Sequence, residues 1–77
     1  MQTEKIHIGK LIRSKLKENG RSASWLAGKI SCERANIYKI FKKESIDAEL
    51  LLCISLALET DFFRYYSEIY RINTKET

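Results

Sequence analysis

The stretch Ser22–Lys43, SASWLAGKISCERANIYKIFKK, decides how this chain folds. Its apolar residues do not alternate. They return every three or four positions, which is the spacing of one face of a helix. Leu26, Ala27 and Ile30 form one such stripe, Ile37, Ile40 and Phe41 a second, and Ser31-Cys32 is a short break between them. Two helices joined by a turn this short must cross steeply. The crossing requires a large apolar residue followed by a small one on the first helix, so that the second can approach. Leu26 and Ala27 meet that requirement, and Cys32, Ile37 and Ile40 seat the second helix. Ser22 is a suitable N-cap for the first helix, which reaches about Ile30. The second runs from about Glu33 to Lys42, capped either by Glu33, whose charge suits a helix N-terminus, or by Ser31.

Outward from this unit the helical spacing continues. Ile8, Leu11, Ile12 and Leu16 share a face of a helix over about Ile8–Glu18, with Lys10, Arg13, Lys15 and Lys17 turned away from it. Asn19-Gly20 stops that helix, because both residues tolerate a left-handed backbone. Asp47 caps a fourth helix through Leu58 or Glu59. Its Leu50, Leu51, Leu52, Cys53, Ile54, Leu56 and Leu58 are apolar nearly all round, which predicts a helix buried in the middle of the domain. Trp25 is expected at the edge of the core. Asp61 caps a fifth helix from Phe62 to about Arg71, where Phe62, Phe63, Tyr65, Tyr66 and Tyr70 place five aromatics in nine residues. One helix on a small core cannot bury them all, and surplus apolar surface marks an interaction site. The expectation is a homodimer built on Phe62, Phe63, Tyr66, Ile69 and Tyr70. The fold class is all-α: a single domain over residues 1–77 with four to five helices, a core over about 8–63 and an aromatic helix over about 62–71.

Composition narrows the function. The 77 residues carry a net charge of +4, unevenly spread. Residues 1–43 hold eleven Lys and Arg against three Glu, a net of +8; residues 44–77 hold three against seven acidic residues, a net of −4; together these recover +4. One basic side suits a polyanion, either nucleic acid or an anionic membrane surface. Cys32 and Cys53 lack metal-ligand or CxxC spacing and read as small core residues in a reducing compartment. No apolar stretch follows Met1 to make a signal peptide, and the apolar run Leu50–Leu58 is far short of the ~20 residues of a membrane span, so a cytoplasmic protein is expected. The one histidine, His7, has no acidic or nucleophilic neighbour at catalytic spacing and reads as an exposed residue near a frayed end. There is no Gly-rich phosphate loop, no metal cluster and no nucleophile triad. The reading is therefore not an enzyme, with no cofactor, no metal and no small-molecule ligand.

From Ile8 to Phe63, about three quarters of the chain, the sequence resembles the Xre/Cro/CI-type helix-turn-helix domains of the lambda-repressor-like fold. The resemblance lies in SASWLAGKISCERANIYKIFKK and in Asp47–Phe63, DAELLLCISLALETDFF. It departs from the family pattern at four places. Ser31 stands where a turn Gly is usual. Ala23 stands where a Gln often contacts DNA, which leaves Ser22 and Ser24 to reach phosphate. Phe41-Lys42-Lys43 replaces a Glu-x-Gly, and Ile46 replaces a Pro.

The resemblance implies that the helix 33–42 lies in the major groove of duplex DNA with its first residues on base edges. Arg34 can donate twice to guanine O6 and N7, Glu33 can accept from cytosine N4, and Ala35 can meet a thymine methyl. Tyr38 can pack on a base edge or bond phosphate. Lys39 is placed with these base-reading residues and, with Lys42 and Lys43, can neutralise phosphates. Asn36 either reads adenine or points sideways toward the fourth helix. A transcriptional regulator, repressor-like and dimeric, follows, with recognition helices about one DNA turn apart, ~34 Å. The first rival is a protein-interaction or antitoxin-like adaptor module that uses the aromatic C-terminal helix. The second is a basic face for RNA or membrane, against which the cations fall on several helices and form no single amphipathic stretch.

Overall fold

Five helices account for the architecture: α1 (Ile8–Glu18), α2 (Ala23–Lys29), α3 (Arg34–Phe41), α4 (Ala48–Leu58) and α5 (Phe63–Thr74). They come from a computed structural model that describes residues 5–74, and no strand occurs among the described residues. The all-α expectation therefore holds. No helix among these residues is long and apolar enough to cross a membrane.

Local chemistry sets most of the boundaries. Ser22 Oγ accepts the Trp25 N–H at 3.1 Å, and Asp47 Oδ1 accepts the Leu50 N–H at 2.8 Å, so both act as the N-caps their residue types suggest. Each such cap contributes about 1 kcal/mol. His7 corrects an expectation: it is a half-buried N-cap, whose Nδ1 accepts the Lys10 N–H at 3.2 Å. Three helices then end in the same way, with one residue in the left-handed region and a long backbone hydrogen bond closing the turn behind it. At α1 the residue is Gly20 (φ 66°), and Arg21 N–H donates to the Leu16 carbonyl at 2.9 Å. At α4 it is Glu59 (φ 51°), and Thr60 N–H donates to Ser55 at 3.0 Å. At α2 it is Ser31, discussed below.

The core is one cluster drawn from α1–α4 and the residue before α5. Ile8, Ile12, Leu26, Ile37, Ile54 and Phe62 are fully enclosed, and Leu16, Ala27, Ile40, Leu51 and Leu58 nearly so. Leu11, Trp25, Ile30, Cys32, Phe41 and Leu50 are half-buried around it.

Two expectations about the second half of the chain change. α4 is not buried all round: Leu51, Ile54, Ser55 and Leu58 face the core, while Leu52 and Leu56 are 49% and 69% exposed and Cys53 is exposed as well. Too few helices surround α4 to cover its far side. Cys53 is thus a surface thiol and not a core residue; both cysteines are free. Phe62 is not part of a surface face. It precedes α5 and is sealed in the core, stacked on Tyr65 at 6.3 Å. Asp61 Oδ1 accepts the Phe63 N–H at 3.1 Å, which starts α5 one residue later than expected. α5 also continues three residues past Arg71, to Thr74. None of its residues is fully buried, although Phe63 and Tyr65 pack against the core, and the molecule measures 44 × 22 × 21 Å.

The tightest contact joins the start of α1 to the end of α3. A helix start leaves N–H groups without partners inside the helix. Here Ile8 N–H donates to the Glu44 carbonyl and Gly9 N–H to the Lys43 carbonyl, both at 2.9 Å. A β-carbon on Gly9 would overlap the carbonyl oxygens of Ile40 and Phe41, so only glycine lets the two backbones approach this closely. Gly28, by contrast, lies on exposed helix with open space where its β-carbon would be. Substitution by alanine should therefore act in opposite directions. Gly9→Ala is expected to lower stability by about 2–3 kcal/mol through overpacking. Gly28→Ala is expected to raise it by about 0.5–1 kcal/mol through helix propensity. Urea unfolding followed by circular dichroism measures both, and equal effects at the two sites would refute the contact.

Candidate nucleic-acid interface

The turn between α2 and α3 is built by Ser31. It takes φ 58°, a region that costs an L-residue about 1 kcal/mol. Behind it, Cys32 N–H reaches back to the Ala27 carbonyl at 2.9 Å. With Ile30 as the C-cap of α2, that bond spans the Schellman closure expected where a glycine would normally stand. Ser31 is therefore the turn residue and does not cap α3. Glu33 occupies the N-cap position of α3, yet its side chain makes no capping hydrogen bond. Ala27, only 5% exposed, sits where α2 meets α3, and Ile37 and Ile40 lie buried beneath α3.

The opposite side of α3 is open. Glu33, Arg34, Ala35, Tyr38 and Lys39 are all exposed, as are Asn36, Lys42 and Lys43. Ala35, Tyr38, Lys39 and Lys42 fall at i, i+3, i+4 and i+7, one stripe facing away from Ile37 and Ile40. Tyr38 is 51% exposed, and its ring meets Phe41 edge-on at a centroid distance of 5.8 Å. That contact steadies the ring while leaving the phenol outside. Arg34, Lys39, Lys42 and Lys43 form no ion pair among the described residues.

The residues assigned to phosphate lie at both ends of this unit. Ser22 and Ser24 are exposed at the start of α2. The Ser22 oxygen accepts the Trp25 N–H, and its O–H remains free to donate to a ligand. Lys42 and Lys43 follow α3, and the Lys43 carbonyl is held by α1. Two further cations, not assigned a role from the sequence, flank the Trp25 ring on α2. Arg21, directly before the α2 cap, lies 4.7 Å over the Trp25 ring, and Lys29 approaches the same ring at 5.6 Å. The signal in the sequence is the spacing Arg21-Trp25-Lys29, one cation four residues to either side of the ring. A polar cleft of about 490 Å³ opens beside Arg21 and Trp25, with Lys15, Asn19 and Thr60 on its walls; no α3 residue borders it.

Of the residues assigned to a dimer face, Phe62 is withdrawn into the core. Phe63 and Ile69 are half-buried, and Tyr66 and Tyr70 are 38% and 71% exposed.

The left-handed Ser31 generates a stability prediction. Ser31→Gly relieves the strain at some cost in unfolded-chain entropy and should stabilise by about 0.5 kcal/mol, a rise of about 2–4 °C in Tm. Ser31→Val places a β-branched residue at positive φ and should lower Tm by more than that. The reverse order in thermal melts would remove the turn described here. Comparison of the chain with protein-family models, with curated proteins and with solved structures finds no match.

Proposed function

We propose that this protein binds duplex DNA by placing α3 in the major groove, as the Xre/Cro/CI-type helix-turn-helix domains it resembles do, and that it regulates transcription by occupying its site. One observation carries the reading. α3 is seated by buried Ile37 and Ile40 on one side, and on the other it exposes Arg34, Ala35, Tyr38 and Lys39, with Arg34 and Lys39 in no ion pair among the described residues. The closed turn at Ser31–Cys32 holds α3 at a fixed attitude to α2, as a groove-reading helix requires.

The chemistry divides into reading and positioning. Arg34 presents a planar two-pronged donor that matches guanine O6 and N7. Glu33, freed from capping, is available to accept from cytosine N4 and disfavours bases that offer no donor there. Ala35 offers a methyl to thymine, and Tyr38 offers a braced phenol. Lys39, Lys42 and Lys43 neutralise phosphates, and the Ser22 and Ser24 hydroxyls donate to them. Three lysines on phosphate predict a slope of log K against log salt of about −3 per chain.

Selection of bound oligonucleotides from a random duplex pool tests binding and preference together. Arg34→Ala is expected to cost about 1–3 kcal/mol and to relax the preference at one base pair. Lys43→Ala is expected to weaken all sequences alike and to flatten the salt slope by about one unit. A pool that yields no enriched duplex, with Arg34→Ala binding as the parent does, would overturn the proposal.

A further inference from the structure

We infer that α3 reads a 5-methylcytosine followed by a guanine: Glu33 accepts from the cytosine N4–H, the methyl group enters a notch between Ala35 and the Tyr38 ring, and Arg34 takes the guanine. The inference deepens the DNA-binding proposal above and rests on it.

Four exposed side chains gather around the first turn of α3. Glu33, Arg34 and Ala35 are consecutive, at the end of the helix that the proposal places on base edges. Tyr38 follows Arg34 by four residues and Ala35 by three, so its ring is a surface neighbour of both. Ala35 is the smallest side chain of the stripe Ala35, Tyr38, Lys39 and Lys42, and it leaves an apolar notch beside the larger tyrosine. The wall of that notch is fixed, because Phe41 holds the Tyr38 ring edge-on at 5.8 Å. Beside the notch stand two groups with hydrogen-bonding capacity to spare. Arg34 makes no ion pair or ring contact among the described residues. Glu33 neither caps α3 nor meets a cation there.

Taken one at a time, these groups ask for different bases. The notch suits a C5-methyl group, which thymine alone carries among the four standard bases. Glu33 suits a donor, and thymine has none on its major-groove edge. Its O4 is an acceptor, so a carboxylate set against it leaves two acceptors in contact with no proton between them. Cytosine and adenine supply the donor but carry no methyl group. A methyl group beside an exocyclic N–H donor occurs together on 5-methylcytosine. The two features sit on adjacent ring atoms of that base, so the groups that read them must lie within about one helical turn, ~5 Å, as Glu33, Ala35 and Tyr38 do at the start of α3. Charge supports the same assignment. An acidic side chain approaching DNA is repelled by phosphate, and an N4–H donor turns that cost into a charge-assisted hydrogen bond. Arg34 completes the set. Its planar guanidinium can bond guanine O6 and N7 in its own plane while one face lies against the methyl group of the preceding base.

Two random duplex pools, one made with cytosine and one with 5-methylcytosine throughout, separate this inference from the proposal beneath it. The methylated pool is expected to enrich a site that contains a 5-methylcytosine–guanine step. Fluorescence anisotropy with the full chain then compares single changes in that site. Cytosine in place of the methylated base should weaken binding about five- to tenfold, through the empty notch. Thymine paired with adenine should weaken it by about tenfold or more, through the clash with Glu33. Tyr38→Ala is expected to remove the advantage of the methyl group, and Tyr38→Phe to keep it. Glu33→Gln offers an amide that both donates and accepts, so thymine should bind this variant within about twofold of 5-methylcytosine. Both positions are exposed, and circular dichroism checks that helix content is unchanged. Enriched duplexes that bind equally with and without the methyl group overturn the inference and leave DNA binding standing. So does a preference for thymine at the step, or a methyl preference that survives both Tyr38→Ala and Glu33→Gln. No enriched duplex from either pool overturns the inference together with the proposal it rests on.

Discussion

The backbone contact between the first turn of α1 and the chain leaving α3 is the constraint on which the rest depends. Two helix-start N–H groups that would otherwise need water take the Lys43 and Glu44 carbonyls. Gly9 makes this possible because it has no β-carbon to hold the chains apart. The contact also brings the positive end of one helix dipole to the carbonyl end of another. It places Ile8 and Ile12 in the same buried cluster as Ile37 and Ile40. α3 is thereby held at its C-terminal end by α1 and at its N-terminal end by the Ser31 turn, and only its outer side remains free.

That outer side gains its character by subtraction. The inner positions of α3 are committed to the core, the turn residues to backbone geometry, and the first side chain of α2 to its cap. What remains is a stripe of Ala35, Tyr38, Lys39 and Lys42 flanked by Arg34 and Glu33. Among the described residues Tyr38 is the one member whose side chain has a partner, the edge of Phe41, and that contact limits how far its ring can swing. Arg34, Lys39 and Lys42 have no such brace among the described residues, and ordering each of these long side chains against any ligand costs about 0.5–1.5 kcal/mol.

α4 shows the opposite economy. It is apolar on both sides, but the chain has only enough helix to cover one of them. Phe62 seals the covered side, and α5, which follows it, packs only Phe63 and Tyr65 partly against the core.

Much of this was written in the sequence. The 3.6-residue spacing announced four to five helices, because only a helix buries residues three and four apart on one face. Ser22, Asp47 and Gly20 marked boundaries through purely local chemistry, which residue type alone reports. The exposed side of α3 was legible as well, since it is the complement of Ile37 and Ile40. Tertiary structure alone decided the remainder. The need for Gly9 arises from a strand of backbone more than thirty residues away, and nothing beside it in the chain reveals that contact. Whether Leu52, Cys53 and Leu56 are buried depends on how many helices pack around α4, a count the composition of α4 does not contain. Phe62 and Tyr70 have the same local character, yet one is enclosed and the other is in water, because burial belongs to the space between elements and not to the residue.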